Sequence, residues 1–591
     1  MGRLMWSAAA GALLLAGAAA AQVEDQTPTF DILIRGGTVY DGTGGEPFVG
    51  DVAIEEDRIA YVGPSGEVRG KVVVEAAGKA VSPGFINMLS WATESLLVDG
   101  RGLSDLRQGV TLEVFGEGWS EGPLTAEMRA DVIQRQGDIK FDVPWTTLGQ
   151  YLEHLERKGV APNVASFVGA TTVRIHELGE GDVDPTPAQL DAMKGLVRAA
   201  MEEGALGLGT SLIYAPASYA ETPELIALAT EAGRCGGIYI SHMRSEADRL
   251  VESVDELIEI SRASGAPAQI YHLKAAGQTN WPKLDTVIAR IEAARASGQR
   301  ITADMYTYTA GATGLDAAMP TWVQAGGYEA WRERLQDPAT RQRVLAEMRT
   351  RGDGWENFLF HAGSADRVIL VGFKNEALKP LTGKTLAEVA ALRGKSPEET
   401  AIDLVIEDGS RVGTVYFLMS EENVARQTAL PWMSFDSDAA AMAPEGVFLK
   451  SSNHPRAYGN FARLLGKYVR EEKRLSLAEA VRKLTSQPAQ TLGVRERGAL
   501  QEGYFADVVV FDPAVIADRA TFDNPRQFAV GVEQVFVNGK AALKDGEPTG
   551  AATGRVVRGR AWTGRAEGGC RASAADWTWA WPAPPASTAA N

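Results

Sequence analysis

Residues 237–274 read GIYISHMRSEADRLVESVDELIEISRASGAPAQIYHLK. Two short apolar runs, 237–242 and 268–272, have strand length, and each ends in a histidine, His242 and His272. Between them, 250–263 carries apolar residues at the i, i+3, i+4 and i+7 positions of an amphipathic helix. This strand–helix–strand unit repeats outward in both directions. Upstream, 85–91, 111–115, 164–168 and 205–214 read as strands; downstream, 301–306 and 431–438 do the same, and helical patterns such as 187–203 lie between most of them. Eight strands alternating with helices predict a (β/α)8 barrel, whose active site lies at the C-terminal ends of the strands.

The flanks have another texture. Alternating apolar and polar residues with Gly-rich turns run through 30–34, 51–54 and 58–63, and return in 507–512 and 532–540. The expected organisation is a small β-sandwich domain built from 22–82 and 491–560, around a barrel spanning 83–490. Residues 307–430 form an insertion with its own helices, at 386–392 and 397–407, placed over the barrel mouth. Residues 561–591, rich in Ala, Pro and Trp, read as a peripheral tail.

Composition narrows the function. With 59 Lys+Arg against 76 Asp+Glu, the net charge of −17 argues against a nucleic-acid surface, which needs clustered cations. A 45% hydrophobic content suits a large buried core and excludes disorder. Two cysteines, Cys235 and Cys570, make no disulfide framework and no thiolate zinc cluster. Residues 1–21 combine a short positive start, a small-residue apolar run and Ala19-Ala20-Ala21 as a cleavage site, which predicts a signal peptide and export to a bacterial periplasm. That run is short for a bilayer span, and no other segment approaches one, so no membrane association is expected after cleavage.

The six histidines are a short list for any metal site. His242 and His272 close neighbouring strands, where both imidazoles reach one ion; His154, His176, His361 and His454 lie in helical or loop contexts. Ser434-Phe435-Asp436-Ser437-Asp438 brings two carboxylates to the end of strand eight. Asp438, nearer the strand end, is the preferred proton carrier, with Asp436 as the alternative.

These residues fall into a recognisable order. Pro83-Gly84-Phe85-Ile86, Gly109-Val110-Thr111, Ser241-His242-Met243-Arg244, His272-Leu273-Lys274 and 304–311 (DMYTYTAG) are followed by Ser437-Asp438 and His454-Pro455-Arg456-Ala457-Tyr458-Gly459. Over roughly 30–545 the chain resembles the D-aminoacylases of the amidohydrolase superfamily. The resemblance implies hydrolysis of an N-acyl amino acid, a small-molecule amide, to a carboxylate and a free amino acid. It implies a catalytic Asp438, metal ligands His242 and His272, and a substrate-carboxylate clamp of Lys274, Tyr306 and Arg456. Tyr214 is a further pocket candidate at the end of strand four.

The departures are informative. The family's His-x-His at the end of strand one is Leu89-Ser90-Trp91 here, which removes its second metal position. The family's cysteine ligand aligns with Gly118, and Glu117 beside it is a competent oxygen donor, with Glu113 the deeper fallback. No lysine ends the fourth strand, which argues against a carboxylated-lysine, two-metal site. The expected cofactor is one Zn2+ or another divalent ion on His242, His272 and Glu117. Two rival functions stay open: hydrolysis of another C–N bond, in a dipeptide or cyclic amide, and a periplasmic binding protein without catalysis.

Overall fold

The computed structural model describes residues 27–564 and Cys570; the expected signal peptide and most of the expected tail lie outside the described residues. Eight short parallel strands form the barrel: β1 (Phe85–Asn87), β2 (Val110–Phe115), β3 (Asn163–Ser166, carried on by Val168–Gly169), β4 (Gly207–Ser211), β5 (Ile238–His242), β6 (Ala268–Ile270), β7 (Ile301–Met305) and β8 (Met433–Phe435). β1 pairs with β2 and β2 with β3, and the continuation of β3 leads through β4, β5, β6 and β7 to β8. The seam closes where Met88 N–H donates to Phe435 O at 3.3 Å and Ser90 bridges Ala439. Ladders are shorter than the apolar runs in the sequence, because the last residues of each run peel outward to build the mouth.

The chain's local chemistry explains the alternation. The helix Leu250–Ser264 buries Leu250, Val254, Leu257 and Ile260 against the barrel and stops at Gly265, whose φ of +74° ends the helical register. The helix Pro187–Glu203 starts with a capping box between Thr186 and Gln189. Inside the barrel, Ile86, Leu112, Val114, Phe167, Ile240 and Tyr271 fill a separate apolar core.

The two chain ends meet in one nine-stranded sheet. Val508–Phe511 pairs antiparallel with Ala80–Pro83, which runs directly into β1. Thr29–Val39 is shared by Arg69–Glu75 along one half and Ala80–Pro83 along the other, which folds the sheet over a core of Ile34, Val52, Ile54, Val81, Val508 and Phe536. The insertion leaves from the end of β7 and carries an antiparallel sheet ordered Ala310–Gly314, Gly413–Phe417, Val368–Gly372, together with helices that include Leu386–Arg393 and Pro397–Asp408. It therefore starts on the catalytic face.

One expectation from the cysteine count is revised. Cys235, after the helix Thr222–Arg234, is disulfide-bonded to Cys570, 335 residues further on. The bond holds Cys570 against the end of that helix. Among the described residues, no helix is long and apolar enough to cross a membrane.

Candidate metal and catalytic site

His242 is the last residue of β5. His272 lies two residues beyond β6 in a left-handed conformation, φ +33°, which the end of β7 holds in place: His272 N–H donates to Asp304 Oδ1 at 2.6 Å and Leu273 N–H to Asp304 O at 2.9 Å. Glu117 comes from the turn after β2, between Gly116 (φ +105°) and Gly118 (φ +71°). Both glycines are required. A Cβ on Gly118 would run into Ser211, within 2.9 Å of its backbone nitrogen, and one on Gly116 would meet the Phe167 backbone nitrogen at 2.9 Å. Gly118, where the resemblance aligns a cysteine, has no room for any side chain, so the donor is offered from Glu117.

The three side chains converge. Glu117 Oε1 lies 2.8 Å from His242 Nδ1 and 2.8 Å from His272 Nε2, and one ligand atom from each residue lies within 4.8 Å of the others. The imidazole planes stand at 81° with centroids 4.5 Å apart. All three residues are buried. Burial pushes the Glu117 carboxyl up, but His272 and His242 pull it further down, to about 2. Burial and the Lys274 ammonium push His272 down, and Glu117 carries it up to about 10. One anionic oxygen and two ring nitrogens in a dry pocket fit a divalent ion of zinc's preference, with a coordination position left for water or substrate. Glu113 stands apart within β2, where its Oε2 accepts from Asn87 Nδ2 at 2.9 Å, and burial raises its pKa.

A second carboxylate, absent from the sequence reading, backs the triad. Glu246 Oε1 lies 3.1 Å from His272 Nδ1, the nitrogen turned away from Glu117, and Lys274 Nζ donates to Glu246 at 2.7 Å. Burial raises the Glu246 pKa, while Lys274, His242 and His272 together hold it well below the usual range. A carboxylate on the outer nitrogen of a ligand histidine fixes the ring and strengthens it as a donor. Lys274, assigned by resemblance to the substrate clamp, is spent here: its Nζ lies 2.6 Å from His272 Nδ1, although it also stands 5.4 Å from the Tyr306 ring centre. From the insertion, Glu356 accepts the Glu246 backbone N–H at 2.9 Å, so insertion and triad are directly linked.

Asp438 lies three residues past β8, with φ +43° and its N–H on Leu89 O at 3.0 Å. Its Oδ1 accepts from Trp91 Nε1 at 3.0 Å, and its Oδ2 pairs with Arg456 Nη2 at 2.8 Å. Asp436 is sealed below it. Burial and the neighbouring Asp304 carboxylate push its pKa well above the ordinary value, while Asp438 lies nearer the mouth. Arg456 opens the helix Arg456–Arg463 and lies 4.3 Å from the Tyr306 ring centre. Its Nε and Nη1, and the Tyr306 hydroxyl, are buried with no hydrogen-bond partner among the described residues. Buried polar groups are rarely left so. Tyr214 packs edge-on to His242 at 5.2 Å, and Arg411 of the insertion covers its other side at 5.0 Å. His454 is structural: its Nδ1 accepts the Arg456 N–H at 3.0 Å and its Nε2 bonds Ala310 O. His154, His176 and His361 are not part of the triad.

A family model described as "Amidohydrolase family" matches residues 72–542. D-aminoacylase of Alcaligenes xylosoxydans xylosoxydans is 32% identical over 538 residues, covering 90% of this chain and 99% of the relative. A crystal structure of D-aminoacylase superposes with a TM-score of 0.74 at 33% identity, over 90% of this chain and 100% of that one. N-acyl-D-glutamate deacylase from Bordetella bronchiseptica, complexed with zinc and a phosphonate that mimics the tetrahedral intermediate of its reaction, gives 0.72 at 30%, again over 90% and 100%.

Proposed function

The chain belongs to the amidohydrolase family, and from that premise we propose that it is a metal-dependent deacylase of N-acyl amino acids, preferring D enantiomers and using one zinc ion. The observation that carries this reading is the buried meeting of Glu117, His242 and His272, with the Asp438–Arg456 pair beside it. D preference is supported by the activities for which the similar proteins are named. Zinc is supported by the donor set and by the metal held in the Bordetella bronchiseptica enzyme. A single ion is supported by the end of β1, where Leu89, Ser90 and Trp91 offer no imidazole or carboxylate.

The residues divide the work. Arg456, through guanidinium N–H groups that lack partners among the described residues, and the Tyr306 hydroxyl take the substrate's free carboxylate. That anchor sets the scissile amide beside the triad. Glu117, His242 and His272 would hold a divalent ion, which would acidify a water and polarise the amide carbonyl. Asp438 accepts the water's proton on its carboxylate and returns it to the departing amine nitrogen, which leaves as a free amino acid. Glu246 and Lys274 keep the His272 ring oriented throughout. Export to an oxidising compartment is supported by residues 1–21 and by the Cys235–Cys570 bond, since such bonds persist outside the reducing cytosol.

The test is a panel of N-acyl-D-amino acids, N-acyl-L-amino acids, dipeptides and cyclic amides, offered to zinc-loaded enzyme. The proposal expects the D-configured N-acyl series to turn over fastest, and Arg456→Met to raise KM by about 10- to 100-fold through loss of a charge-assisted contact. Turnover confined to dipeptides or cyclic amides would overturn the substrate assignment.

A further inference from the structure

The residue that ends β1's extension, Trp91, has a place in the site that its chemistry alone would not suggest. The backbone there is zipped to the end of β8: Asp438 N–H donates to Leu89 O at 3.0 Å, Trp91 N–H to Ala439 O at 3.0 Å, and Ser90 bridges Ala439. Side chains 91 and 438 therefore emerge side by side, and the indole Nε1–H reaches Asp438 Oδ1 at 3.0 Å. The ring remains 38% exposed, so part of it lines the mouth while its N–H is engaged.

Among the described residues Asp438 has one other side-chain donor, and it is a shared one. Arg456 Nη2 holds Oδ2 at 2.8 Å, yet the same guanidinium is the proposed anchor of the substrate carboxylate. When substrate binds, Arg456 divides its hydrogen bonds between the two anions. The bond to Oδ1 comes from a group that has no share in anchoring the substrate. An indole N–H suits this duty, because it only donates, does not titrate at working pH and binds no metal, so it holds the carboxylate without taking part in proton exchange. Asp438 also sits at φ +43°, a conformation that aspartate tolerates.

We propose that Trp91 is the positioning residue for proton transfer, holding Asp438 through Oδ1 so that the carboxylate keeps one orientation while the Arg456 guanidinium is shared with the substrate. This rests on the reading of Asp438 as proton carrier. Trp91 works through Asp438 and neither gives nor takes a proton.

Trp91→Phe keeps an aromatic ring in the same place and deletes the N–H. Its kcat on an N-acyl-D-amino acid should fall about 10- to 100-fold, the span of a lost hydrogen bond to a charged group. KM, bound zinc and melting temperature should stay at wild-type values. Unchanged kcat, or a raised KM at constant kcat, would overturn the proposal by reducing Trp91 to a wall of the pocket. A double-mutant cycle guards against a merely structural loss. In an Asp438→Asn background, Trp91→Phe should lower the residual kcat no further, whereas a full additional loss would overturn the proposal. Full activity in Asp438→Asn alone would instead sink the proton-carrier reading, and the two failures are thereby distinguished.

Discussion

Glu356→Gln isolates the contact by which the insertion holds the metal side of the barrel. Glu356 is 8% exposed, and both of its carboxyl oxygens receive the Glu246 backbone N–H, at 2.9 and 3.2 Å. Burial, then the nearby Glu246 carboxylate, pushes its pKa from 4.5 up to about 8. In the unfolded chain the group ionises at its ordinary value. Between those two pH values the folded state carries a proton the unfolded state has lost, so stability falls as pH rises from about 4.5 and levels off above about 8. At about 1.36 kcal/mol for each tenfold change in acidity, the loss across that window is on the order of 4–5 kcal/mol. The substituted carboxamide is neutral at every pH and retains an acceptor for the Glu246 N–H. The variant should match wild type near pH 5 and be the more stable protein at pH 8. Denaturant melts of zinc-loaded protein at unit steps from pH 5 to 9 measure this. Parallel curves for the two proteins would refute the reasoning, because Glu356 would then titrate alike in the folded and unfolded states.

Other contacts give sharper single outcomes. Asp438→Asn should keep its zinc and lose roughly 10²-fold or more in turnover, while Asp436→Asn, at a position buried below the mouth, should keep most of its activity; the reverse pattern in steady-state kinetics would move the proton carrier to Asp436. Lys274→Met should leave Glu246 without its ammonium partner and lower zinc affinity by about 10- to 100-fold, as losses behind a ligand histidine do; a change in KM with wild-type zinc affinity would return Lys274 to the substrate clamp. Thiol titration of the denatured, exported protein should find free thiols only after reduction, and thiols present beforehand would contradict the Cys235–Cys570 bond.

The barrel was legible because each strand is a short apolar run and each helix keeps one apolar face, signals that lie within a few residues of each other. The strand ends were less so: Asp436–Asp438 reads as a continuation of β8, but hydrogen bonds to Leu89 and Asn87 draw it off the ladder. His242 and His272 could be named because the fold rule alone brings neighbouring strand ends together. Glu117 was visible only through the resemblance, as the oxygen donor beside Gly118, where the family has its cysteine ligand; the tight turn between Gly116 and Gly118 that aims it at the histidines came from the structure. Glu246 and Glu356 were not visible, since nothing within a loop's sequence says that its carboxylate meets a histidine 26 residues away or a backbone amide 110 residues away. The same holds for Cys235 and Cys570, whose pairing spans 335 residues, and for Trp91, which reads as a lost ligand until its N–H is found on Asp438.

Zinc binding by wild type and Glu117→Ala, after chelator stripping and titration back, tests the central claim most directly. The account predicts one ion per chain in wild type, even in excess zinc, with activity returning in proportion to occupancy. It predicts that Glu117→Ala loses more than the about 10- to 100-fold in affinity typical of a residue behind the ligands. Wild-type affinity in Glu117→Ala, or two ions bound per wild-type chain, would contradict it.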